Sequence, residues 1–118
     1  MSTPLNVLGN DVSVDYTTDA NNPVLRIPYS VIAAAIGWTT APTAQTEKLD
    51  PWVAGLLQKL ADYATNNPTN ETNNIIVSQP TNNTPGTRNG TANRKNSRYI
   101  VTVWSTSTSN PVVDGDEL

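Results

Sequence analysis

Residues 50–65 read DPWVAGLLQKLADYAT, the longest stretch of the chain with a single clear period. Trp52, Val53, Leu56, Leu57, Leu60, Tyr63 and Ala64 recur at helical spacing and predict one broad apolar face. Ala54, Gly55, Gln58, Lys59 and Asp62 fall on the opposite side. Asp50 is placed to accept a hydrogen bond from the first free amides, and Pro51 to sit where its missing N–H costs nothing. Asn66, Asn67 and Pro68 end the period. A helix of this kind must lay its apolar face on something, so the flanking segments are read for what can cover it.

On the N-terminal side, residues 11–17 (DVSVDYT) alternate, with Val12, Val14 and Tyr16 on one side, and predict a half-buried strand. Residues 18–22 (TDANN) are turn material, and 23–28 (PVLRIP) place Leu25 and Ile27 on one face. Residues 11–27 therefore read as a β-hairpin whose second strand, flanked by prolines, lies at an edge. Residues 29–37 (YSVIAAAIG) read as a short helix: Ser30 can cap it, the alanines favour it and Gly37 can end it, although Val31 and Ile32 also suit a strand. Residues 38–49 connect to the main helix.

On the C-terminal side, 75–78 (IIVS) predict a short strand, and 79–96 (QPTNNTPGTRNGTANRKN) a long low-complexity loop. Residues 97–105 (SRYIVTVWS) carry the strongest strand pattern, with Tyr99, Val101 and Val103 facing one way and Arg98, Ile100, Thr102 and Trp104 the other. Bulk on both faces predicts a central or doubly covered strand. The expectation is an α+β fold: a small antiparallel sheet from two β-hairpins packed on one main amphipathic helix, with extended arms. One domain spans 1–118, with an N-terminal arm over 1–10, a core over 11–105 and a tail over 106–118.

Composition narrows the function. A chain of 118 residues suits one domain and one modest core. It has no Phe, no Cys and one Met, so Val, Ile, Leu, three Trp and four Tyr must fill that core. Without Cys there is neither a disulfide framework nor a thiolate metal site. Without His the commonest general base and metal ligand are missing. The net charge of −3 on 14% charged residues is too weak a field to imply nucleic acid or a polybasic membrane contact. No apolar run is long enough to span a bilayer, and the N-terminus lacks the basic and apolar blocks of a signal peptide. Asn, Thr and Ser together supply 40 residues, a composition suited to turns and to strands facing solvent or another chain.

Four of the seven basic residues, Arg88, Arg94, Lys95 and Arg98, lie within eleven positions, with Tyr99 beside them for stacking. They can meet an anion or nucleic acid, or belong to a solvated loop that docks on an acidic neighbour. Asp114, Asp116 and Glu117 in DGDEL, and Asp11 and Asp15 on one strand face, are paired carboxylates of the kind that bind Ca²⁺ or act as acid and base. DGDEL lacks the spacing of a calcium loop, and both groups read as solvated. No G-x-S-x-G elbow occurs, and no His is present to activate a Ser or Thr. No catalytic residue, cofactor or metal is expected. Asn70, Asn82 and Asn89 each open an Asn-x-Thr triplet, which a chain this rich in Asn and Thr generates by chance. Trp38, Trp52 and Trp104 can line a sugar platform, but read rather as core and interface anchors.

Residues 16–32, YTTDANNPVLRIPYSVI, followed by the capped helix and then by SRYIVTVW at 97–104, resemble small cyanobacterial and cyanophage proteins of hairpin–helix–hairpin plan. The composition, rich in Thr and Asn and free of Cys, also resembles that of tailed-phage virion accessory proteins. The resemblance spans about residues 11–105 and carries no catalytic signature. It implies a non-enzymatic structural protein of a virion assembled in the host cytoplasm: a capsid cement or decoration protein, or a neck or tail accessory protein. Its partners would be other virion subunits, copies of itself in a symmetric particle included, with no membrane. The arms would clamp neighbours, with Arg88, Arg94, Lys95, Arg98, Tyr99 and Trp104 as contact residues. The alternative is a soluble module that takes an anionic ligand or nucleic acid through residues 88–98.

Overall fold

The computed structural model describes residues 4–44, 48–67, 73–82, 85–105 and 111–118. The fold is the expected α+β type, built around one long helix. Two strands, β1 (Ser13–Asp15) and β2 (Val24–Arg26), open it, followed by a short helix α1 (Tyr29–Ala33) and the main helix α2 (Asp50–Asn66). Then come β3 (Ile75–Val77), β4 (Thr81–Asn82), β5 (Gly86–Arg88), β6 (Thr91–Arg94), β7 (Ser97–Arg98) and β8 (Val101–Val103).

The first hairpin forms as read, with Val14 opposite Leu25. It is not half-buried, however: Val12 is buried, but Val14 and Tyr16 lie open. The residues at 29–37 resolve as helix, α1 running into a 3-10 turn (Ala34–Ile36) that ends at Gly37 in the left-handed region, φ 64°. The Trp38 N–H donates to the carbonyl of Ala33 and closes that end, a geometry glycine adopts at no steric cost. Ser30 does not cap. Pro28 occupies the N-cap position, and no side chain caps the turn. Asp50 likewise lies inside the first turn of α2 rather than capping it, with Leu49 as N-cap and Pro51 at the position where its missing donor is harmless.

Helix α2 is contacted from several directions, which the single-face reading did not foresee. A 3-10 turn at Leu5–Leu8, helix α1 and strand β3 all pack on it. Residues 5–8 of the N-terminal segment are thus docked on the helix, with Leu8 buried. Gly55, placed by periodicity on the polar side, is buried against Ile32: a Cβ there would lie 2.8 Å from the Ile32 Cβ. Its bare backbone lets α1 and α2 approach. Ala61 and Val77, both fully buried, join helix to strand on another side. Edge-on contacts between Tyr29 and Trp38 (centroids 4.8 Å apart) and between Trp38 and Trp52 (5.3 Å) close the α1 end, so two of the three tryptophans are internal anchors.

The second half departs most from the reading. The described part of 79–96, expected as a loop, holds strands β4, β5 and β6, and 97–105 is divided into β7 and β8 instead of forming one central strand. Strand β3 pairs with β8, β4 with β7 and β5 with β6, all antiparallel, in three nested two-stranded ladders. Together they make one interrupted ribbon that runs out from α2 and back. Pro80 and Pro85 fall between consecutive ladders on the outgoing leg. Proline has no N–H to give to a ladder, so pairing stops at each. Between the first two ladders the Ser78 N–H donates to the Ile100 carbonyl, while the Ile100 N–H donates to Ser78 Oγ.

Candidate functional site

The ribbon ends in a tight hairpin, Arg88-Asn89-Gly90-Thr91. Asn89 (φ 51°) and Gly90 (φ 76°) both take positive φ, the requirement of a type I′ two-residue turn, and Asn-Gly is the pair that meets it most readily. Behind the turn the register slips. Arg88 pairs with Thr91, but Gly86 pairs with Arg94, so β6 spends one residue more than β5. Asn93, at φ 59°, takes up the extra residue. Directly opposed residues share a face, and so do residues two apart on one strand. The bulge therefore delivers Arg94 to the face that already carries Arg88. Re-aiming a side chain is what a bulge does.

Arg88, Arg94 and Lys95, with Gly86, Thr87 and Asn96, line a concavity of about 350 Å³. All three cationic residues are exposed, and none pairs with a carboxylate among the described residues. No acidic residue occurs anywhere between Glu71 and Asp114, whereas this interval holds Arg88, Arg94, Lys95 and Arg98. The rest of the chain carries three basic residues against ten acidic ones. The positive charge of the molecule is concentrated on the ribbon. An oxyanion entering the cradle would meet two planar guanidinium forks and an ammonium.

The other three expected contact residues lie elsewhere. Arg98 stands further down the ribbon, opposite Thr81. Trp104 lies at the base, 61% exposed, with its backbone N–H donating to the Asn74 carbonyl. Tyr99 turns inward: its hydroxyl donates to Gln58 Oε1 at 2.6 Å. Burial, and then the negative charge of Asp62, push its pKa up.

That inward turn reveals a group the periodicity had assigned to solvent. Gln58 Nε2 donates to Asp62 Oδ1 (2.8 Å) and to Gln79 Oε1 (3.0 Å), while Gln79 Nε2 donates to Asp62 Oδ1 (3.0 Å) and to Thr65 Oγ1 (2.9 Å). This polar network, with Tyr99, fastens the foot of the ribbon to α2. Polar residues at a helical spacing of four, Gln58 and Asp62, were the available signal.

Among the described residues no group of three His, Cys, Asp or Glu side chains could hold a metal ion, and no helix is long and apolar enough to cross a membrane. No family model matches the chain, and no curated protein or solved structure matches it either.

Proposed function

We propose that this chain is a non-enzymatic structural subunit of a large protein assembly, of the kind implied by its resemblance to tailed-phage virion accessory proteins: a capsid cement or decoration protein, or a neck or tail accessory protein. The observation that carries this reading is an apolar surface left open at the base of the ribbon, where Ile100 and Trp104 are 70% and 61% exposed and Val101 and Val103 are also open.

These four residues lie on or beside β8, which among the described residues pairs on one side only, with β3. An apolar edge strand with an unpaired row of backbone donors and acceptors is a template for an added strand. The ribbon then acts as a clamp: β8 offers a neighbour its backbone edge, and the basic tip reaches for an acidic surface beyond. Weak contacts of this kind gain strength through repetition by symmetry.

The test is a V101K/V103K variant. Both positions are exposed, so the variant should retain its far-UV spectrum while losing assembly as followed by light scattering. In the assembled wild type, the β8 amides should exchange slowly, and in the dissociated chain fast. An assembly indifferent to these lysines would overturn the reading. The cradle favours a second reading, a soluble module that takes an anionic ligand or nucleic acid through residues 88–98. Against it stands the excess acid of the rest of the chain, which repels a polyanion.

A further inference from the structure

We infer that the basic cradle is a contact site for a second copy of this chain, and that its ligand is the carboxylate pair of the C-terminal turn, Asp114 and Asp116. The inference rests on the assembly reading above and supplies the missing partner.

Three observations meet here. The cradle brings Arg88 and Arg94 onto one face only through the Asn93 bulge, with Lys95 alongside, and no described carboxylate of the same chain answers them. The opposite charge is present on the same molecule. Asp114 Oδ1 accepts the Asp116 N–H at 3.0 Å at the start of a 3-10 turn (Gly115–Glu117), so one local hydrogen bond holds two carboxylate-bearing residues together, and both are exposed. Finally, the acid excess outside the ribbon disfavours a phosphate polymer along the whole molecule, while a short acidic turn from another copy brings charge only to the cradle. Two guanidinium groups facing two carboxylates make charge-assisted hydrogen bonds, the stronger class of such contacts. Because cradle and turn are different patches, the contact is head-to-tail. Repetition then closes a ring or extends a filament, according to the rotation between neighbours.

The experiment uses the full chain and reads its mass by light scattering and sedimentation across a concentration series, at low and high salt. The wild type should associate as concentration rises, and high salt should weaken this. R88E/R94E alone and D114K/D116K alone should each associate at least about tenfold more weakly, the scale expected when like charges are brought together in an interface. An equimolar mixture of the two should recover association, because each variant then presents the charge that the other lacks. Far-UV spectra check that both remain folded. A wild type that stays near 12.7 kDa at every concentration would overturn the inference. So would variants that associate like the wild type, or a mixture that recovers nothing. Steeply salt-dependent binding of a nucleic-acid duplex, abolished by R88E/R94E in a chain that does not self-associate, would reassign the cradle to nucleic acid. If V101K/V103K abolishes assembly while R88E/R94E does not, the assembly reading stands and this inference falls.

Discussion

Arg94 stands on the same face of the ribbon as Arg88 because Asn93 occupies the left-handed region and shifts the register by one. In an unbroken ladder Asn93 would oppose Gly86, and Arg94 would point to the other side. The cradle is therefore a product of one backbone conformation, and that can be tested without changing any charge. A β-branched residue in the left-handed region costs about 1–2 kcal/mol, enough to favour the regular register. Asn93→Val should disperse the cradle and weaken association about as much as a charge change at Arg94. Asn93→Gly, which accepts positive φ, should behave like the wild type. Light scattering on the two variants checks the pair.

Gly55 of α2 packs directly against Ile32 of α1. Replacing it with Ala gains about 1 kcal/mol of helix propensity. The new methyl, however, would meet the Ile32 Cβ at 2.8 Å, and a Cβ cannot rotate away. Overpacking of this sort costs typically 1–3 kcal/mol. Gly55→Ala is expected to lower Tm, as read by thermal unfolding, where the same change at an exposed helical glycine would raise it.

Asp15 accepts from Arg26 (2.8 Å), from the Thr18 hydroxyl (2.8 Å) and from the backbone N–H groups of Thr17 and Thr18 (both 3.1 Å). The Arg26 bond first, and then the two threonines, hold its carboxyl well below the usual carboxylate range. A group depressed in the folded state contributes stability that is fully present above its ordinary pKa, and loses it as pH falls below that value. Thermal unfolding between neutral and strongly acidic pH should show Tm dropping more steeply for the wild type than for Asp15→Asn.

Tyr99 titrates in the opposite sense. Its raised pKa means that the folded state holds the proton more tightly, so its contribution is intact below the ordinary tyrosine range and fades as pH rises through it. A near-UV titration should show a tyrosine step above the ordinary tyrosine range. Tyr99→Phe should remove that late step. It should also leave Gln58 short of a donor at a cost of about 1 kcal/mol, loosening the ribbon at its foot.

What the sequence shows of this fold divides by the range of the forces involved. Helix α2, helix α1 with Gly37 as its stop, and the β1–β2 hairpin follow from local periodicity and turn chemistry, and all are present. The ribbon was harder to read. Asn89-Gly90 is a strong turn signal, but Thr, Arg, Asn and Ala flank it, with no apolar alternation to mark the strands. Residues 97–105 alternate well enough to pass for one strand, and the prolines that divide their partner leg lie far upstream. Clustering of Arg88, Arg94 and Lys95 is visible in the sequence, but their common face depends on the φ of Asn93. Gly55 was misplaced because a helical wheel assumes one covered face, whereas α2 is covered from several sides.

The separation of charge along this molecule has a kinetic consequence. A ribbon bearing cations on a body rich in carboxylates is an electric dipole, and two such dipoles turn toward head-to-tail alignment before they touch. Added salt should then slow the encounter more than it shortens the life of the complex once formed. The orientation in which copies arrive is selected in solution, ahead of any contact.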